Sequence, residues 1–196
     1  MKPFVLASAS PTRAKLLTAA GLCFEVLPAD VDETALKQDC AMEDVAFIAS
    51  RLAAAKASAV AERRPGAIVL GADQILSFEG EIVSKCHSEE EAFSLLQRLR
   101  GRTHELITAA TLCVDEGCVW KHVETCRLTM GNFSDAFLRD YLSRAGPALL
   151  QNVGCYALEG LGAQLFDSVE GDFFSVLGLP LLPLLAALRD YDVIAR

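Results

Sequence analysis

The 196-residue chain carries 18 lysines and arginines against 26 aspartates and glutamates, a net charge of -8, and is 52 % hydrophobic and 22 % charged. That acidity argues against a nucleic-acid surface, which needs a basic face, but leaves room for a small anion where the few cations converge in one cleft. There is no apolar run of about 18 residues and no signal-peptide pattern, so a soluble cytoplasmic protein is expected, with one good core or two small lobes sharing a sheet.

Residues 4–7 read as a short buried strand, and 14–20 as a helix with Leu16, Leu17 and Ala20 on one stripe. The intervening "SASPTR" breaks the apolar run. Ser10 suits an N-cap, Pro11 the first helical position and Gly21 the closing one. Arg13, in the first turn, opposes the positive end of the helix dipole unless an anion lies between them. Free N-H groups, the Ser8 and Ser10 hydroxyls and a guanidinium together describe a phosphate site. The plainer reading is a capped helix with a solvated arginine.

"DVDET", 30–34, sets three acids in four positions, as a solvated helix entrance or part of a cation site. On the helix expected over 43–62, Lys56 falls on the apolar stripe of Val45, Ile48, Leu52 and Ala59, where it either snorkels or serves a ligand. The strand "AIVLGAD", 67–73, ends at Asp73. Carboxylates at strand ends hold metals or activate water, or merely start turns.

Residues 75–85 read as a hairpin closed by Lys85, an edge lysine or a phosphate cation. Helices follow over 88–100, with Ser88 and Glu91 spaced as a capping box, and over 134–144 and 180–190. Strands 104–114 and 118–130 pair across "DEG", and a final β pair is expected within 153–169. Alternating helices and strands with frequent hairpins predict an α/β fold on a mixed sheet, in one domain spanning 1–196. Seven cysteines, odd in number and never spaced C-x-x-C, read as reduced core thiols.

"LASASPTRAKLL", "VDE", "RLAAAKA", "VLGADQ", "SK" before a helix ending "LRGRTHE", and "VGCYALEGLGAQLF" with "SVLGLPL" span residues 4–188. Together they resemble the Maf family of nucleotide pyrophosphatases. The resemblance implies an elongated, twisted mixed sheet flanked by helices, ITPase-like, in two lobes around a cleft. It also implies hydrolysis of a nucleoside triphosphate to a monophosphate and pyrophosphate with a divalent cation, Mg2+, Mn2+ or Co2+. Ser8, Ser10 and Arg13 then match a phosphate-binding start, and Lys56 and Lys85 two phosphate-clamping lysines. Glu33 and Asp73 match acids that hold the metal, Asp73 also being the proton acceptor.

Thr12, Gln74, Glu159 and Cys86 stand where family members often carry Arg, Thr, Gln and Pro. Gln74 and Glu159 lean toward the branch acting on 7-methyl-GTP, whereas Thr12 matches neither branch well. A carboxylate such as Glu159 accepts two hydrogen bonds from a guanine N1-H and N2-H2 edge, where glutamine suits uracil. The alternatives are the dTTP/UTP branch and a non-catalytic regulator of septum formation; a kinase would need a glycine-rich phosphate loop that is missing. No nucleic-acid or membrane partner is expected, and a homodimer is compatible with the resemblance.

Overall fold

The computed structural model describes residues 2–40 and 42–195. Within them β1 (Phe4–Leu6) lies parallel to both β2 (Glu25–Val26) and β3 (Ile68–Phe78), with Leu6 level with Leu70. The order continues through β5 (Thr103–Val114), β6 (Gly117–Met130) and β7 (Phe166–Glu170), while the short β4 (Glu81–Val83) pairs antiparallel with the end of β3. The seven-stranded sheet is therefore mixed, as expected from the hairpins and alternating elements.

Alternation along β1 and β3 sends successive side chains to opposite faces. Phe4, Leu6, Ile68, Leu70 and Ala72 form one core with Leu17 of α1 (Pro11–Ala19) and Leu184 and Leu188 of α7 (Leu181–Asp190), which follows the single-turn helix α6 (Phe173–Val176). Val5, Ala7 and Val69 form another with Ala57, Val60 and Ala61 of α3 (Val45–Ala61).

The chain divides into two compact units. Met1–Gln74, Thr108–Glu124 and Asp172–Arg196 make the first, to which both cores belong; Ile75–Ile107 and Thr125–Gly171 make the second. In the second, α4 (Glu89–Leu99) packs against α5 (Asp135–Ala145), burying Leu95, Leu96 and Leu99 of one and Leu138 and Leu142 of the other. Glu79 and Gly80, with φ of 53° and 84°, turn β3 into β4, the double positive φ that a tight hairpin of matching twist requires.

Several expectations are corrected. No β pair forms within 153–169: the region holds a 3-10 turn at Leu161–Leu165, and its one strand, β7, pairs antiparallel with β6 instead. Gly154 (φ 82°) and Cys155 (φ 56°) bend the chain out of extended geometry there. The cysteines are not all reduced core thiols. Cys113 and Cys118 are disulfide-bonded across the two-residue turn between β5 and β6, and Cys23 is exposed. Near a tight antiparallel turn, residues facing each other come within disulfide reach whatever their spacing motif.

Lys85 lies beyond β4, and "DVDET" enters a helix, α2 (Glu33–Asp39), whose N-cap Asp32 accepts from Ala35 N at 2.9 Å. The capping pair of α4 holds in modified form: Ser88 accepts from Glu91 N, and Glu91 reaches back to His87 N at 2.8 Å. Among the described residues no helix is long and apolar enough to cross a membrane.

Candidate active site

The break after β1 is built as its residues suggest. Ser10 caps α1, its hydroxyl accepting from Arg13 N at 3.4 Å, and Pro11 occupies the first helical position. Ser8 is buried and its Oγ accepts from Ser10 N at 3.2 Å. The Arg13 guanidinium turns inward. Its Nη1 donates to Ser8 Oγ at 3.1 Å and to Ala72 O at 2.9 Å, and its Nε to Gly178 O at 2.9 Å. Burial lowers the Arg13 pKa, while the Asp73 and Glu33 carboxylates oppose that shift.

The second half of the site comes from one glycine. Val69, Gly71 and Asp73 share the β3 face that α3 covers, and a Cβ on Gly71 would stand 2.6 Å from Ala57 N and 2.9 Å from Ala57 Cβ. Only glycine lets the helix approach so closely. This contact brings Lys56, one residue before Ala57, to Asp73 at the next position on the same face: Lys56 Nζ lies 2.6 Å from Asp73 Oδ1 and 2.8 Å from Glu33 Oε1. Lys56 and Asp73 are 13 % and 9 % exposed at the side chain and Glu33, first residue of α2, is 45 % exposed. The Asp73 pair therefore works in a lower dielectric than the Glu33 pair.

The first unit thus gathers Ser8, Ser10, Arg13, Glu33, Lys56 and Asp73. Thr12 is half-buried on the first turn of α1. Gln74 points to the opposite face of β3 from Asp73, and its Nε2 donates to Thr108 Oγ1 (2.8 Å), Ser175 O (3.0 Å) and Val176 O (3.1 Å). Thr108 Oγ1 also donates to Ser175 O at 2.8 Å, so both side chains hold the segment leading to Gly178. Lys85 and Glu159 are exposed in the second unit. Lys85 lines a cavity of about 460 Å³ with Cys86, Glu91 and Arg98.

Gly71, Thr108 and Gly178 carry structural duties that motif reading passed over. A glycine inside a Val- and Leu-rich strand was the available signal for the first.

A family model described as "Maf-like protein" matches residues 3–191. The chain belongs to the Maf family of nucleotide pyrophosphatases. This Maf chain is 47 % identical over 197 residues to "Nucleoside triphosphate pyrophosphatase 1" of Jannaschia sp., with all of both chains covered. It is 48 % identical to "7-methyl-GTP pyrophosphatase" of Mesorhizobium japonicum, covering 97 % of this chain and 96 % of the other. Among solved structures it is similar to a HAM1 protein from Coxiella burnetii, at a TM-score of 0.42 and 16 % identity, covering 68 % of this chain and 75 % of that one.

No cluster of three or more His, Cys, Asp or Glu side chains arranged to hold a metal occurs among the described residues of this Maf chain. Two carboxylates converging on one cationic point nevertheless fit Mg2+ or Mn2+. Such ions take one or two protein carboxylates and complete their shell with water and phosphate oxygens.

Proposed function

We propose that this Maf chain hydrolyses a nucleoside triphosphate between its α and β phosphates with a divalent cation, and that a guanine-type base such as 7-methylguanine is preferred. The observation that carries the reading is the Asp73–Lys56–Glu33 cluster, with Lys56 Nζ 2.6 and 2.8 Å from the two carboxylates. It lies in the same unit as the Ser8 and Ser10 helix start, and Arg13 grips β3 one residue before Asp73.

In this reading the Thr12 N-H, the positive end of the α1 dipole and the two serine hydroxyls bind phosphate oxygens. Asp73 orients a water toward the α-phosphorus and takes its proton as the bond to the bridging oxygen breaks. Lys56 meets negative charge on the phosphates. Asp73 and Glu33 would hold a divalent cation, which would supply positive charge against the departing pyrophosphate. The products are a nucleoside monophosphate and pyrophosphate.

Support for the base comes from Gln74 and Glu159, and from a relative named for 7-methyl-GTP at 48 % identity. A carboxylate facing the O2 and O4 acceptors of uracil or thymine leaves lone pairs unmatched, a loss of about 1 to 3 kcal/mol.

Pyrophosphate release from 7-methyl-GTP, GTP, dTTP and UTP tests both levels. We expect 7-methyl-GTP to exceed dTTP and UTP by about tenfold to a hundredfold in kcat/KM, Glu159→Gln to narrow the gap, and chelation by EDTA to stop turnover. Equal or better use of dTTP and UTP removes the base preference alone. No release from any nucleotide removes the pyrophosphatase reading.

A further inference from the structure

Lys56 sits where a metal would sit. A hard divalent cation bonds carboxylate oxygens at about 2.0 to 2.6 Å, so an ion taken by Asp73 Oδ1 and Glu33 Oε1 falls in the volume that the Lys56 ammonium fills, 2.6 and 2.8 Å from those same atoms. The two cations exclude each other. The lysine has the means to leave: its Cα is fixed on α3, whose Ile48, Leu52, Ala53 and Ala57 are buried, and only the flexible four-carbon stem carries the charge.

We propose that Lys56 is a resident counter-ion of the Asp73–Glu33 pair, displaced by a divalent cation and then received by the triphosphate. The inference rests on the metal-dependent reading above and adds an order to it. Without nucleotide, the lysine neutralises the carboxylates and holds metal affinity down. Triphosphate oxygens give the displaced ammonium a new partner and the metal further ligands, so metal and nucleotide strengthen each other by the same factor. The step is an exchange of ion pairs, with no covalent bond made or broken. It keeps the pair of acids compensated at every stage, which matters most at Asp73, the less exposed of the two.

Mn2+ alone is the probe, its free concentration read from the EPR signal of the aqueous ion. Nucleotide-free Lys56→Met is expected to bind Mn2+ about tenfold or more tightly than the unmutated chain, within the usual range of couplings. Lys56→Arg, which keeps a cation, stays weak. In the unmutated chain, acetylation of Lys56 by trace acetic anhydride, quantified by mass spectrometry, is expected to rise severalfold when Mn2+ is added. Binding by folded Lys56→Met that is no tighter overturns the exchange. If that variant misfolds, Lys56 acetylation that Mn2+ leaves unchanged overturns it equally. Mn2+ that binds the unmutated chain and Asp73→Asn with equal affinity is a different result, because it removes the metal site itself and the exchange with it.

Discussion

At the residue scale, the proposed chemistry concentrates on Asp73. It is 6 % exposed, lies in the middle of β3 on the same face as Gly71, and has the Lys56 ammonium on Oδ1. Asp73→Asn keeps size and shape while removing the negative charge. Turnover is expected to fall by about 10² to 10⁴, the usual cost of losing an acid-base group, with nucleotide binding in the absence of divalent cation largely kept; parallel kinetic assays and metal-free calorimetric titration measure the two. Near-normal pyrophosphate release by the variant would show that Asp73 serves packing alone. The residues that stand together here were legible because each broke a local rule: a cation at a helix start, a lysine on an apolar stripe, an acid in an apolar strand. The strand does not end at that acid as expected, since β3 runs on to Phe78 and Asp73 lies in its middle. Arg13 was legible as important but not in manner. Whether a guanidinium faces a ligand or grips carbonyls is decided by residues 72 and 178, which local spacing does not bring near.

At the element scale, the separation of α3 from β3 is set by the bare Cα of Gly71. Gly71→Ala puts a methyl group against the Ala57 backbone, 2.6 Å from its nitrogen, and the helix must move. A cost of about 1 to 3 kcal/mol is expected for such overpacking, seen as a lower midpoint in denaturant, together with loss of activity as Lys56 withdraws from Asp73. A variant with full stability and full activity would show that the contact is slack. Strands and helices with clear periodicity were readable from the chain: β1, β5, β6, α1, α3, α4, α5 and α7 fall where the patterns put them, within a few residues, whereas the strand expected to end at Asp73 and the first arm of the following hairpin are one continuous strand, β3. The stretch 153–169 was not. Its apolar residues have no fixed period, and positive φ at Gly154 and Cys155 takes the backbone where strand reasoning does not apply. The Cys113–Cys118 bond was missed for a related reason, since it follows from hairpin register and not from a cysteine motif.

For the molecule as a whole, one pH effect arises in the second unit, at a buried histidine. His104 in the second unit is 1 % exposed, with Nε2 2.7 Å from Tyr156 Oη and Nδ1 without a hydrogen-bond partner among the described residues. Burial lowers its pKa from 6.5 to about 4. Between those values the unfolded chain takes up a proton that the folded chain refuses, so stability is full above pH 6.5 and declines as pH falls toward 4. At 1.36 kcal/mol for each tenfold in proton affinity, the loss by pH 4 approaches about 3 kcal/mol. Denaturant melts at pH 5 and pH 7 check this: His104→Phe is expected to shrink the difference between them, and an unchanged difference would place the effect elsewhere. The first unit has its own dependence on the entire chain, through the grip of Arg13 on Gly178, 165 positions downstream. Long-range pairings form only after the intervening chain exists. On a ribosome the serine loop would therefore emerge early and stay unlatched until residue 178 had been made. A nascent chain shorter than that would carry the phosphate-binding sequence without its architecture.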